Sequence, residues 1–279
     1  MTQPHTGATD RSVREHAVST ALAFLMAESV RRHSRARRRA DMKLMFHLRD
    51  SLSYRAEAVA WHPYMIRIVG DSASRRLREV HSDFAKEQQL LFHLGAEHFY
   101  LFDDLVFNAL SLFDYVGNIV GFAFYGEQRR KAKWDRVQRF AHDAAFERRS
   151  HPKPRISPGP VGQAIREVHA SLVRALTEYR AALIHYEALL GPGEVTTHFG
   201  PDEQGTPGPH YDLRFRVPRE FAELFAVPGF EQDRENAPLL KAATWLAEET
   251  TRSAVSVLAE TERELRVEAG PQSSVEIIA

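Results

Sequence analysis

Arg180 and His185, near the end of the most regular amphipathic segment, are the side chains of this sequence best suited to chemistry. Histidine moves protons near neutral pH, and arginine carries a permanent planar cation that matches phosphate geometry. Together they suit metal-free RNA cleavage, in which the 2′-hydroxyl attacks the adjacent phosphate. His185 would transfer the proton and Arg180 would compensate the phosphorane charge. On an ideal helix residues five apart diverge by about 140°, so one helix does not aim both at one atom, whereas two facing helices of a dimer can. Spacing alone is not selective, because Arg11 with His16, Arg55 with His62, Arg76 with His81 and Arg136 with His142 are similarly separated. The structural alternative pairs Arg180 with Glu178, Glu187 or another carboxylate and makes His185 a satisfied interface histidine.

A second set of polar residues lies on the most apolar stretch, Phe99 to Tyr125. Asp104, Asn108, Ser111, Asp114 and Asn118 recur at steps of three or four and place a narrow polar stripe along a hydrophobic helix. Buried polar groups need partners, so the stripe either bonds to neighbouring helices or lines a groove. Gly117 and Gly121, one turn apart, permit close approach of another helix. Basic residues gather in Arg31 to Arg39 and again in Arg129, Arg130, Lys131, Lys133, Arg136 and Arg139. Either run is a solvated face or a contact for RNA phosphates. His93 and His98, beside Glu97 and Asp103, lack the spacing of a two-histidine helix motif, so no metal is expected. There is no P-loop, Gly-x-Gly-x-x-Gly or nucleophile elbow, and no cofactor is expected.

Composition sets the frame for these residues. Lys+Arg and Asp+Glu both number 37 in 279 residues, so any nucleic-acid surface has to come from local clustering. The absence of cysteine excludes disulfides, thiolate catalysis and cysteine-bound zinc or iron–sulfur clusters, and points to a cytoplasmic setting. Met1 to Arg11 is polar and has no apolar core of a signal peptide. Phe99 to Tyr125 is long enough to raise the question of a membrane span. Asp103, Asp104, Asn108, Asp114 and Asn118 interrupt it and would be costly in lipid, so the expectation is a buried bundle helix and no membrane partner.

Helical periodicity runs from Arg11 to about Asp50 and weakens around Pro63, where Tyr54 to Val69 reads as a loop and short strand. Asp71 or Ser72 can cap a helix toward Leu94, followed by the apolar helix from near Ala96 to close to Gly126. A basic helix is expected over Glu127 to about Arg149, with Trp134, Val137 and Phe140 on its apolar side. Pro152, Pro154, Pro158 and Pro160 make Ser150 to Pro160 a loop. Apolar residues then step by three or four from Val161 to Leu190, until Gly191-Pro192-Gly193 stops the helix. Its last turns are apolar nearly all round, through Ala181, Ile184 and Ala188, which predicts burial on both faces, one of them against another segment or a second subunit. Glu194 to Phe199 and His210 to Val217 read as a β-hairpin, with helices near Arg219 to Phe225 and from about Ala237 to Val267. The tail after Gly270 is expected to be disordered. The fold class is mainly α: an antiparallel helical bundle with extra terminal helices and a small β-hairpin. Its divisions are 1–91 (N-terminal helix, basic run and connecting segment), 92–193 (bundle core) and 194–279 (hairpin and C-terminal helix packing on the core).

Arg180-Ala181-Ala182-Leu183-Ile184-His185 resembles the Arg-x4-His signature of the HEPN superfamily, the higher eukaryotes and prokaryotes nucleotide-binding domain. The helix from Asn108 to Asn118, the following Lys133-Trp134 helix, and Tyr179 and Tyr186 beside the motif are similar as well. The likeness covers about Phe92 to Leu190; the position after the arginine, often Asn in the family, is Ala181 here. The resemblance implies a HEPN-like bundle acting as a metal-independent endoribonuclease, or an RNA-binding protein, with Arg180 and His185 in a homodimer groove. It implies Asp114, Asn118, Ser111 and Tyr186 as supporting polar residues, and from the basic run Arg129, Arg130, Lys133 and Arg136 are the expected RNA contacts. Toxin–antitoxin or phage-defence roles, with a regulatory protein partner, belong to the same implication. The alternative is a non-catalytic helical module that dimerises or binds a partner protein through the same helix end.

Overall fold

A computed structural model of the chain describes residues 7–30, 35–80, 83–127, 133–185, 193–201 and 207–270. Within these, 7–11, 29–30, 35–38, 74, 184–185, 193–201 and 207–213 are described by their backbone alone. The protein is mainly helical. In chain order the elements are α1 (Gly7–Val30), α2 (Arg35–Val80), α3 (Phe84–Tyr125), α4 (Trp134–His142) and α5 (Ala144–Ser150). Then come α6 (Pro160–Val168), a π-helical turn (His169–Val173), α7 (Arg174–His185), strands β1 (Gly193–Pro201) and β2 (Pro207–Phe215), α8 (Arg219–Leu224) and α9 (Leu239–Ala269). The strands pair antiparallel, with Gly193 opposite Phe215.

Several boundaries correct the sequence expectation. Residues 54–69 are helical, since α2 continues through Pro63. Proline removes one intrahelical donor, but its fixed φ is helical, and Leu48, Leu52, Ala56, Val59, Ile66, Ala73 and Leu77 are buried at helical spacing along the same element. Packing along that face outweighs the local cost. Asp71 and Ser72 therefore lie inside α2, where Ser72 Oγ donates to the Val69 carbonyl at 2.9 Å instead of capping a start. The next helix begins at Phe84, earlier than expected, because Asp83 accepts a hydrogen bond from the Lys86 N–H at 3.2 Å. The segment expected as one helix over 127–149 is two. Asp143 leaves the helical region at φ −125°, ψ 92°, and its carboxylate accepts from the Phe146 N–H that opens α5. The single helix expected over 161–190 contains the π-helical turn, and 186–190 lie outside the described residues, as does the tail after Gly270.

The chain divides into two compact units, each drawn from separated stretches: Met1–Ala58 with Asn108–Arg174 and Glu249–Ala279, and Val59–Phe107 with Ala175–Glu248. In the first, Phe24, Leu48, Leu112, Phe113, Phe140, Ile165 and Leu258 are buried. Here α4 buries Trp134, Val137, Phe140 and Ala141, the face its sequence marks as apolar. In the second, Phe102, Tyr179, Phe221, Phe225 and Trp245 form a connected aromatic cluster, with Phe102 and Phe221 centroids 4.9 Å apart and edge-on. A further group in this unit packs Ala73, Leu77 and Leu94 with Val69, Leu90, Leu91 and Phe215. By length and composition α3 could cross a membrane, and 67% of its most apolar window is buried inside the protein.

Candidate functional site

On α7 the adjacent residues Tyr179 and Arg180 point about 100° apart, which gives them opposite environments. Tyr179 is fully buried, edge-on to Phe102 and Phe221. Its hydroxyl donates to Asp103 Oδ1 at 3.4 Å. Burial pushes the Asp103 carboxyl up to about 6, with the Asp104 charge adding to the rise and the Tyr179 hydrogen bond opposing it. The Tyr179 phenol is pushed up for the same reasons, burial first and the Asp103 charge next. Arg180 is exposed, with its guanidinium 5.2 Å from the centre of the Phe107 ring, one turn beyond Asp103 on α3. Among the described residues it forms no ion pair. The second unit thus brings together a permanent cation, an aromatic face and a carboxyl that exchanges its proton near pH 6. His185 is the last residue of α7; its side chain, and all of Tyr186, lie outside the described residues.

The polar stripe on α3 is divided among different tasks. Asp104 is exposed in the second unit. In the first, Asn108 Oδ1 accepts from Arg55 Nη1 at 2.8 Å, and Ser111 is half-buried. Asp114 seats the start of α4: Oδ1 accepts the Trp134 N–H at 3.3 Å, and Lys133 Nζ lies 3.9 Å from Oδ2. Gly117 makes this seat possible, since a Cβ there would stand 2.6 Å from the Trp134 nitrogen. Asn118 is buried and donates to the Asp114 carbonyl at 2.8 Å, while its Oδ1 has no hydrogen-bond partner among the described residues. Trp134 in turn donates its indole N–H to His169 Nδ1 at 3.4 Å. His169 sits on the π-helical turn with the His142 ring 6.0 Å away, and burial, then the His142 and Arg174 charges, hold its pKa below the ordinary histidine value.

Of the expected RNA contacts, Arg129 and Arg130 lie outside the described residues. Arg136 grips the half-buried Glu127 with Nε at 2.9 Å and Nη2 at 2.7 Å, so its fork is already occupied. Lys133 remains mostly exposed at the start of α4. His98, buried and stacked on Phe215 at 4.2 Å, donates from Nδ1 to the Leu94 carbonyl at 2.7 Å and is a core histidine with a pKa lowered by burial. Among the described residues no three metal-ligating side chains come together.

Sequence reasoning singled out neither Asp103 as a titrating group nor Glu147, a buried carboxylate of the first unit. Fully buried, Glu147 accepts from the backbone N–H of Ile156 at 2.8 Å, Ser157 at 2.9 Å and Arg155 at 3.1 Å, and from the Tyr125 hydroxyl. These bonds tie the proline-rich loop to α5. Comparison with family models, curated proteins and solved structures finds no match to this chain.

Proposed function

We propose that the protein is a cytoplasmic, homodimeric, HEPN-like ribonuclease that cuts RNA without a metal. The observation that carries this reading is the exposed Arg180 cation, five residues before His185 on α7, held over Phe107 with no described carboxylate to neutralise it. A structural arginine at this position would be expected to pair with a carboxylate. In the reaction the 2′-oxygen attacks phosphorus, the 5′-oxygen leaves, and a 2′,3′-cyclic phosphate and a 5′-hydroxyl result. His185 takes or returns the proton, and Arg180 opposes the added charge on the phosphorane. The exposed Phe107 ring beside Arg180 would offer an unpaired base a stacking surface. Cleavage of a mixed RNA pool in EDTA, lost in both Arg180→Ala and His185→Ala while each stays folded and dimeric, is the expected result. Absence of cleavage by the unaltered protein would overturn it.

A second reading, a non-catalytic module that binds a partner protein, is favoured by Trp61, Tyr64 and Ile68, which lie exposed along one face of α2. On that reading Trp61→Ala would abolish partner capture and RNA would be left intact.

A further inference from the structure

We propose that a cleft within the first unit binds a small aromatic carboxylate, a ligand site separate from the RNA chemistry assigned to Arg180 and His185. The cleft encloses about 520 Å³, a volume in the range of roughly 300–1,000 Å³ that small-molecule sites occupy. Phe24, Phe122, Phe124 and Tyr125 supply an aromatic lining. Phe24 and Phe122 pack at 5.3 Å, and Tyr125 lies flat on His151, with centroids 3.8 Å apart and planes 3° from parallel. The Tyr125 hydroxyl is fixed by Glu147 and by the Arg155 N–H, which donates to it at 2.7 Å, so this wall exists before any ligand arrives. A flat, apolar ring is the shape such a lining accepts.

The ionisable residues around the cleft select the charge. His151 Nε2 lies 3.0 Å from Glu127 Oε1. Arg155 donates to Glu268 at 2.7 Å and covers the Phe124 ring at 4.6 Å. Glu28 and Asp41 each have their own interaction partners. Lys153 is exposed at the rim and, among the described residues, forms no ion pair. Among the described residues, Lys153 is therefore a positive charge of this aromatic lining that no carboxylate neutralises. A single carboxylate matches it, a neutral ring leaves it unused, and a polyphosphate carries more negative charge than Lys153 alone can meet.

The test is calorimetric titration of the full chain with naphthalene-2-carboxylate, its neutral counterpart 2-naphthalenemethanol, and adenosine monophosphate. The carboxylate should bind about threefold to fivefold tighter than the alcohol, the gain one exposed ion pair provides. Lys153→Ala should erase that preference and leave alcohol binding unchanged, and Pro152→Trp, which places bulk at the mouth, should weaken both. The proposal is overturned by absence of carboxylate binding, by a carboxylate preference that survives Lys153→Ala, or by adenosine monophosphate binding tighter than the carboxylate. None of these outcomes depends on whether the protein cuts RNA, since each reads the binding of a small molecule and none uses an RNA substrate.

Discussion

Tyr179 donates its hydroxyl to Asp103 from the middle of an aromatic cluster, and the carboxylate that receives it is held in a site that disfavours its charge. The Asp103 carboxyl titrates at about 6 in the folded protein against an ordinary 3.8, so between those values the unfolded chain has lost a proton that the folded chain still holds. Stability from this group is complete below 3.8 and falls as pH rises toward 6. Asp103→Asn keeps an acceptor for Tyr179 and removes the titration. Urea midpoints measured from pH 4 to pH 7 should converge for the two proteins at the acid end and favour the variant at the neutral end; parallel curves would refute the assignment.

Glu147 behaves in the opposite sense. Desolvation pushes its pKa up, but hydrogen bonds from Ser157, Tyr125 and Ile156 outweigh it and hold the carboxyl below its ordinary 4.5. Its contribution is therefore present above 4.5 and lost as pH falls. Glu147→Ala would strand three loop N–H groups and should cost roughly 3 kcal/mol or more in denaturant unfolding. Glu147→Gln should cost less and flatten the acid limb.

Two helical glycines should respond in opposite directions to the same substitution. A Cβ at Gly117 would meet the Trp134 nitrogen at 2.6 Å and the Lys133 carbonyl carbon at 2.8 Å, both backbone atoms that cannot rotate away. Gly117→Ala should cost about 2 kcal/mol and shift Trp134 fluorescence as the start of α4 is displaced. At Gly70 the nearest atom is His98 Nε2 at 3.6 Å, an ordinary contact. Gly70→Ala should add about 0.5–1 kcal/mol, measured as a higher unfolding midpoint, by restricting the unfolded chain.

Arg180 touches Phe107 at the surface, and a cation–π contact of this kind contributes on the order of 0.5–1 kcal/mol. Thermal unfolding of Arg180→Ala should stay within a few degrees of the parent. Any large loss of RNA cleavage in that variant would then reflect lost chemistry and not lost fold.

How much was legible depended on range. The apolar face of α4, through Trp134, Val137 and Phe140, was readable because burial at helical spacing leaves a local signature. The arrest of α3 at Gly126 was readable too, since φ +64° is a conformation glycine adopts freely. The passage of α2 through Pro63 was not: proline's local cost is visible in sequence, while the buried ladder from Leu48 to Leu77 that overrides it becomes visible only once the helix is packed. The polar stripe on α3 was legible as a stripe, but nothing local says that Asp114 would cap α4 while Asn108 takes Arg55.

By itself the sequence determined a mainly helical chain without cysteine, the apolar faces of its helices, and the Arg180 and His185 spacing, because periodicity, composition and backbone preference act over a few residues. Tertiary structure alone decided that Asp103 holds its proton to about 6, that Glu147 binds the loop N–H groups, and that Lys153, without an ion pair among the described residues, lines an aromatic cleft. Desolvation and charge neutralisation depend on groups distant in sequence, and only folding sets which of them meet.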